Sequence, residues 1–182
     1  MADRGKRCPH FKPPASGMPW FEWTCSECQD SGVRMRALSL HDPYPWLILD
    51  LPDEHHKNIE NRQRSMLSAT GPLLVHVAKS ATRPRHEEAL KLARRCGVPD
   101  SLLPAFGARP LMGIVGCVNV SQKLPPHSMF DALYRWKFPT HVGYVLNKRV
   151  KLPFRGMAGG QGVFHVDLTR EEEQIVRRAG MF

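Results

Sequence analysis

The chain has 182 residues, 42% of them hydrophobic, and a net charge of +9 from 26 Lys and Arg against 17 Asp and Glu. That length suits one domain with a proper core plus a small appendage, and the basic excess favours nucleic acid or another acidic surface as partner. The longest apolar runs, residues 46–49 and 112–118, are strand-sized, and the first seven residues are polar with no apolar signal core, so neither a membrane span nor a secretory leader is expected.

The chain begins with Cys8-Pro-His10 and, after 14 intervening residues, Cys25-Ser-Glu-Cys28. This C-x-H and C-x₂-C pattern has the ligand number and types of a tetrahedral zinc site, and the two-residue gap lets one tight turn present two sulfurs. Cys8, His10, Cys25 and Cys28 are therefore the expected ligands of a structural zinc that staples residues 1–34, a segment too short to bury its own core. His10 is the least regular of the four, and a neighbouring His or Asp is the alternative ligand. The five cysteines make no even disulfide framework, so a reducing, cytoplasmic compartment is expected.

Residues 35–40 alternate like a strand, and the turn His41-Asp-Pro-Tyr-Pro leads into a short buried helix at residues 46–49. Residues 51–56 read as a polar loop, and residues 57–62 as an edge strand with its charges outward. A buried strand is expected over residues 73–78. A helix follows, capped by Ser80 or Thr82, with Pro84 in its first turn and Gly97 at its end. Residues 101–106 read as a short helical turn. Residues 112–120 form the strongest strand, whose two glycines predict a bulge or a close backbone approach. Residues 128–136 read as a short helix or irregular lid. Two strands are expected at residues 142–146 and 149–152, then a glycine loop over 154–162 and a closing strand at 163–166. Thr169-x-x-Glu172 is a capping box that starts a last helix over 169–182. Many short strands with two real helices predict an α+β fold. Its main domain, residues 35–168, is expected to be a small β-barrel with flanking helices.

Lys57, Glu60 and Arg62 fall within six residues. In an extended chain Glu60 and Arg62 share a face, and Lys57 points the other way unless the chain bends. A carboxylate between two cations is a tuned acid–base group or a solvated ion network. Arg155, with Gln161 among the nearby glycines, makes a loop whose amides suit a phosphate or a base edge. Tyr44, Trp46 and Trp136 are candidates for stacking on bases, with core packing as the alternative for the tryptophans. His55, His56 and His76 read as structural or solvent-facing residues. P-loop, dinucleotide-fingerprint, Gly-x-Ser-x-Gly and His-Glu-x-x-His motifs are absent.

An ordered set of segments resembles the ASCH family, whose domain is similar to the PUA fold. These are Arg36-Ala-Leu-Ser-Leu40, Asp42-Pro-Tyr-Pro-Trp-Leu-Ile48, Lys57-Asn-Ile-Glu-Asn-Arg62, Gly71-Pro-Leu-Leu-Val-His-Val-Ala-Lys79, Gly113-Ile-Val-Gly-Cys-Val118, Tyr144-Val-Leu146, Pro153-Phe-Arg-Gly156 and Gln161-Gly-Val-Phe164. Lys57, Glu60 and Arg62 match the polar positions of the family's G-x-K-x-x-E-x-R-like stretch, while its glycine is missing and the loop before Lys57 is longer. The resemblance implies a PUA-like β-barrel with a cleft lined by these three residues and a role in binding RNA or other nucleic acid. In some bacterial members it implies hydrolysis of an acylated cytidine or of RNA. The threonine expected as nucleophile in the amidohydrolases has no match, since Glu60 and Asn61 stand three and four residues after Lys57.

The expected function is that of a nucleic-acid-binding module for RNA. Its expected contacts are Tyr44, Trp46, Lys57, Glu60, Arg62, Arg155 and Gln161. The alternative is a hydrolase of the same fold acting on a modified nucleoside or on RNA, with Lys57 and Glu60 as the catalytic pair.

Overall fold

The computed structural model describes residues 30–66, 70–128 and 134–182. The expected zinc ligands Cys8, His10, Cys25 and Cys28 lie outside the described residues. Within the described ones the fold is α+β, with six strands in one mixed open sheet. Strand β1 is Asp30–Leu40, helix α1 Tyr44–Leu49, β2 Ile59–Arg62, β3 Gly71–Val77 and helix α2 Arg83–Arg95. Then come β4 Gly113–Leu124, β5 Val142–Gly156, β6 Val163–Thr169 and helix α3 Arg170–Arg178. The strand order is β2-β5-β4-β3-β1-β6. Only β1 and β3 run parallel, and the other neighbours are antiparallel.

Three differences from the sequence reading have local causes. The two strands expected around residues 142–152 are one, because β5 runs the whole length of β4 and its polar Asn147 and Lys148 sit mid-strand rather than in a turn. β1 starts at Asp30, ahead of the strand expected over residues 35–40. The helical turn expected over residues 101–106 is a 3-10 turn confined to Asp100–Leu102. The capping box forms as expected: Glu172 N–H donates to Thr169 Oγ1 at 3.2 Å, and Thr169 N–H donates to Glu172 Oε2 at 2.9 Å.

Alternation along the strands sends two sets of side chains to opposite faces. Leu38, Leu40, Leu73, Val75, Val77 and Tyr144 pack with Trp46, Ile48 and Leu49 of α1 on one face. Met35, Ala37, Leu74, Ile114 and Leu168 pack with Val176 of α3 on the other. A third cluster joins Leu47 and Ile59 to Leu92, Ala93 and Cys96 at α2, with Trp136 fully buried among them. At Gly116 a Cβ would lie 2.6 Å from Leu49 Cδ1 and 2.7 Å from Val150 O, so α1 seats on β4 only because that position has no side chain. A bulge falls there as well, between Ile114 and Gly116.

The sheet is strongly curled. β2 and β1 are four strand spacings apart, which in a flat sheet is about 19 Å. Yet Arg62 Nη2 on β2 donates to the carbonyl of Ser39 on β1 at 3.2 Å. Curling of this degree brings the edge strand over the α1 face and sets its polar side chains against the first core cluster.

Candidate functional site

The approach to β2 explains how three charged residues meet. Lys57 precedes the strand, and its N–H donates to Leu47 O at 2.8 Å, pinning the loop to α1. Leu146 N–H donates to Asn58 O at 2.8 Å, and β2 then pairs with β5, placing Glu60 opposite Tyr144. The chain turns at this junction, so Lys57 reaches forward to Glu60 instead of pointing away. Lys57 Nζ donates to Glu60 Oε2 at 2.7 Å and to Ile59 O, and stands 5.3 Å from the centre of the Tyr44 ring. Arg62 Nε lies 3.0 Å from Glu60 Oε1. That contact is off the hydrogen-bond direction, and Arg62 Nε is a buried donor with no hydrogen-bond partner.

The expectation of outward charges on this edge strand is corrected by the curl of the sheet: Lys57 is only 2% exposed and Glu60 8%. Burial pulls the Lys57 ammonium below its ordinary range, against the opposing pull of Glu60. Burial also raises the Tyr44 phenol, with Glu60 and then Glu88 adding to it. Two cations thus share one carboxylate in a mostly desolvated place, which leaves one positive charge in surplus.

The other expected contacts go elsewhere. Trp46 is a core residue with the Arg109 guanidinium 5.0 Å from its ring centre, so its face is not open for stacking on a base. Trp136 is fully buried. Arg155 stands eleven residues beyond Tyr144 on β5, where Nε and Nη2 clamp Glu172 at 2.7 and 2.9 Å and Nη2 also reaches Asp167 O at 3.1 Å. Gln161 is exposed on the segment 157–162 that links β5 to β6.

Two polar groups were missed from sequence. The parallel register of β1 and β3 puts Ser39 beside His76, and Ser39 Oγ is 3.0 Å from His76 Nδ1. Elsewhere, His86 is buried between Asp42 Oδ2 at 2.8 Å and Pro104 O at 3.0 Å, tying α2 to the turn that carries Tyr44. A histidine in an otherwise apolar strand was the available signal for the first, but strand pairing supplies the partner.

Cys96 and Cys117 are buried free thiols, and burial pushes Cys117 up to about 12, which keeps it protonated and unreactive. Among the described residues no cluster of three or more His, Cys, Asp or Glu could hold a metal, and no helix is long and apolar enough to cross a membrane. No protein-family model matches the chain, and no curated protein matches it.

Proposed function

We propose that the chain is a nucleic-acid-binding module that takes RNA at the Tyr44, Lys57, Glu60 and Arg62 cluster. The observation that carries this reading is the surplus cation: Lys57 and Arg62 stand on one carboxylate at 2.7 and 3.0 Å, and a buried Arg62 N–H has no hydrogen bond. An uncompensated positive charge out of water is costly unless an anion or an electronegative base edge meets it. The Tyr44 ring beside Lys57 adds a flat partner for a base, and the overall charge of +9 draws polyanions in. Gln161 sits on the exposed linker as a second contact. Arg155 and Trp46, occupied by Glu172 and by the core, stand outside this proposed site. The curled sheet with helices against it is read here as a PUA-like barrel, in keeping with the ASCH resemblance. Cys8, His10, Cys25 and Cys28 are read as a structural zinc site that extends the basic surface in a reducing cell compartment. Metal analysis of the purified chain should give one zinc per chain, lost in Cys25→Ser.

The test is a titration of single-stranded RNA at several salt concentrations. Log K should fall linearly with log salt, and Lys57→Ala should weaken binding. Affinity that does not change with salt contradicts phosphate binding.

A second reading is favoured by one observation, the buried contact of Lys57 Nζ with Glu60 Oε2 at 2.7 Å, where burial pulls the ammonium below its ordinary range. A lysine held this way can pass a proton with its carboxylate partner, as a hydrolase of a modified nucleoside or of RNA requires. Turnover of acylated nucleosides or labelled RNA that disappears in Glu60→Gln would establish it, and unchanged turnover in that variant would remove Glu60 from the chemistry.

A further inference from the structure

We propose that Ser39 and His76 are positioning residues that couple Arg62 to the glycine segment 157–162, so that this segment is the movable wall of the site. The segment lies directly on the pair. A Cβ at Gly159 would come 2.4 Å from His76 Cε1 and 2.6 Å from Ser39 Oγ, a closeness that only glycine allows. Gly162, at φ +72, brings the far end of the segment to Met66, which packs against the α1-side core.

One end of the His76 imidazole has a fixed hydrogen-bond direction. Met157 O can only accept, so His76 Nε2, 3.1 Å away, carries the proton. Nδ1 and Ser39 Oγ share a hydrogen bond at 3.0 Å. Gly160 O is a longer contact for the same hydroxyl, at 3.3 Å. The edge of the Phe164 ring holds the imidazole from the side at 5.6 Å. On its backbone, Ser39 O accepts from Arg62 Nη2 at 3.2 Å. A continuous polar chain therefore runs Lys57, Glu60, Arg62, Ser39, His76, Met157.

Three of its five links, Arg62 to Ser39, Ser39 to His76 and His76 to Met157, join partners 23, 37 and 81 positions apart, so the chain forms only when sheet and segment are both in place. Arg62 is the shared member. Its Nε faces Glu60 while its Nη2 holds Ser39, so a ligand that draws the guanidinium toward itself loosens or tightens Ser39 and, through His76, the segment. The surplus positive charge makes Arg62 the cation most open to such a pull. For the ligand arm of the test this rests on the nucleic-acid reading; the coupling itself does not.

Amide exchange by mass spectrometry on the full chain tests it, with Arg62→Lys as the decisive variant. Lysine keeps the charge near Glu60 but carries its donors on one atom at the end of a shorter chain, so it does not reproduce the fork that sets Nε on Glu60 and Nη2 on Ser39 O. Exchange in 157–162 should rise about fivefold in Arg62→Lys and in His76→Ala, the effect expected of one lost hydrogen bond, while β4 stays protected. Gly159→Ala, which pushes the segment off the pair directly, should raise it too, and its combination with His76→Ala should add little. If Arg62→Lys leaves 157–162 at the wild-type rate, Ser39 and His76 merely pin a loop and the proposal fails. The ligand arm uses a mixed-sequence single-stranded RNA of about 12 nucleotides. Slowed exchange in wild type on adding RNA, absent in Arg62→Lys, supports both coupling and site. A rise in Arg62→Lys with no effect of RNA on wild type keeps the coupling and overturns the nucleic-acid reading.

Discussion

Two Arg–Glu pairs sit toward opposite ends of β5 and have nearly the same contact distance. Arg155 meets Glu172 at 2.7 Å and Arg62 meets Glu60 at 3.0 Å. At the first, charges balance one to one. Both carboxylate oxygens accept from the guanidinium, one also accepts from Thr169 N–H, and the arrangement starts α3. At the second, Lys57 makes the balance two to one, Lys57 is buried, and Arg62 keeps a buried N–H without a hydrogen bond. The same residue types serve as a closed staple in one place and an under-used, charge-rich cluster in the other. What separates the two pairs is therefore the count of charges and unmet donors, and not the presence of an ion pair.

The largest effect expected from breaking either pair is at Glu60. Glu60→Ala leaves two cations facing each other in a desolvated site and should cost about 3–5 kcal/mol in chemical denaturation. Glu172→Ala should cost less, about 1–2 kcal/mol, because Arg155 is partly exposed and water can replace its partner. An equal loss at both sites would mean that the difference in charge balance has no energetic content. Thr169→Ala removes one half of the α3 cap and should cost about 1 kcal/mol, with no change in RNA binding.

Lys57→Met sharpens the contrast from the other side, since it restores a one-to-one balance at Glu60. At neutral pH its stability should stay within about 1 kcal/mol of wild type. The pH dependence carries the sign. The folded chain holds the Lys57 proton less tightly than the unfolded chain, so from the depressed folded value up to the ordinary 10.5 the unfolded state binds more protons. Stability from this group therefore rises with pH across that window. Denaturation of wild type minus Lys57→Met should show the rise, and a flat or falling difference would contradict a buried, destabilised ammonium.

The strands and the capping box were legible because they rest on local signals: alternation over 35–40, an apolar run over 73–78 and Thr169 three residues before Glu172. The Lys57, Glu60 and Arg62 triplet was legible as a group of residue types but not as geometry. Strand periodicity puts Lys57 on the other side unless the chain bends, and it carries no sign of the bend that Leu47 O and Asn58 O fix. Arg155 was grouped with the site because it borders glycines, whereas its partner Glu172 arrives from the next helix. Ser39 was invisible as a site residue. Its meaning comes from a parallel pairing across 37 positions and a sheet curl that brings Arg62 over. Burial and long-range pairing decide these cases, and neither is written in a short window of sequence.

The most direct measurement of the central claim compares Arg62→Ala and Arg155→Ala side by side for single-stranded RNA binding by fluorescence anisotropy at low salt. The expected result is binding about tenfold weaker or more in Arg62→Ala, with a shallower salt slope, and near wild-type binding in a folded Arg155→Ala. Equal binding by wild type and Arg62→Ala, or a larger loss in Arg155→Ala, would contradict the placing of the RNA site at the charge-rich cluster.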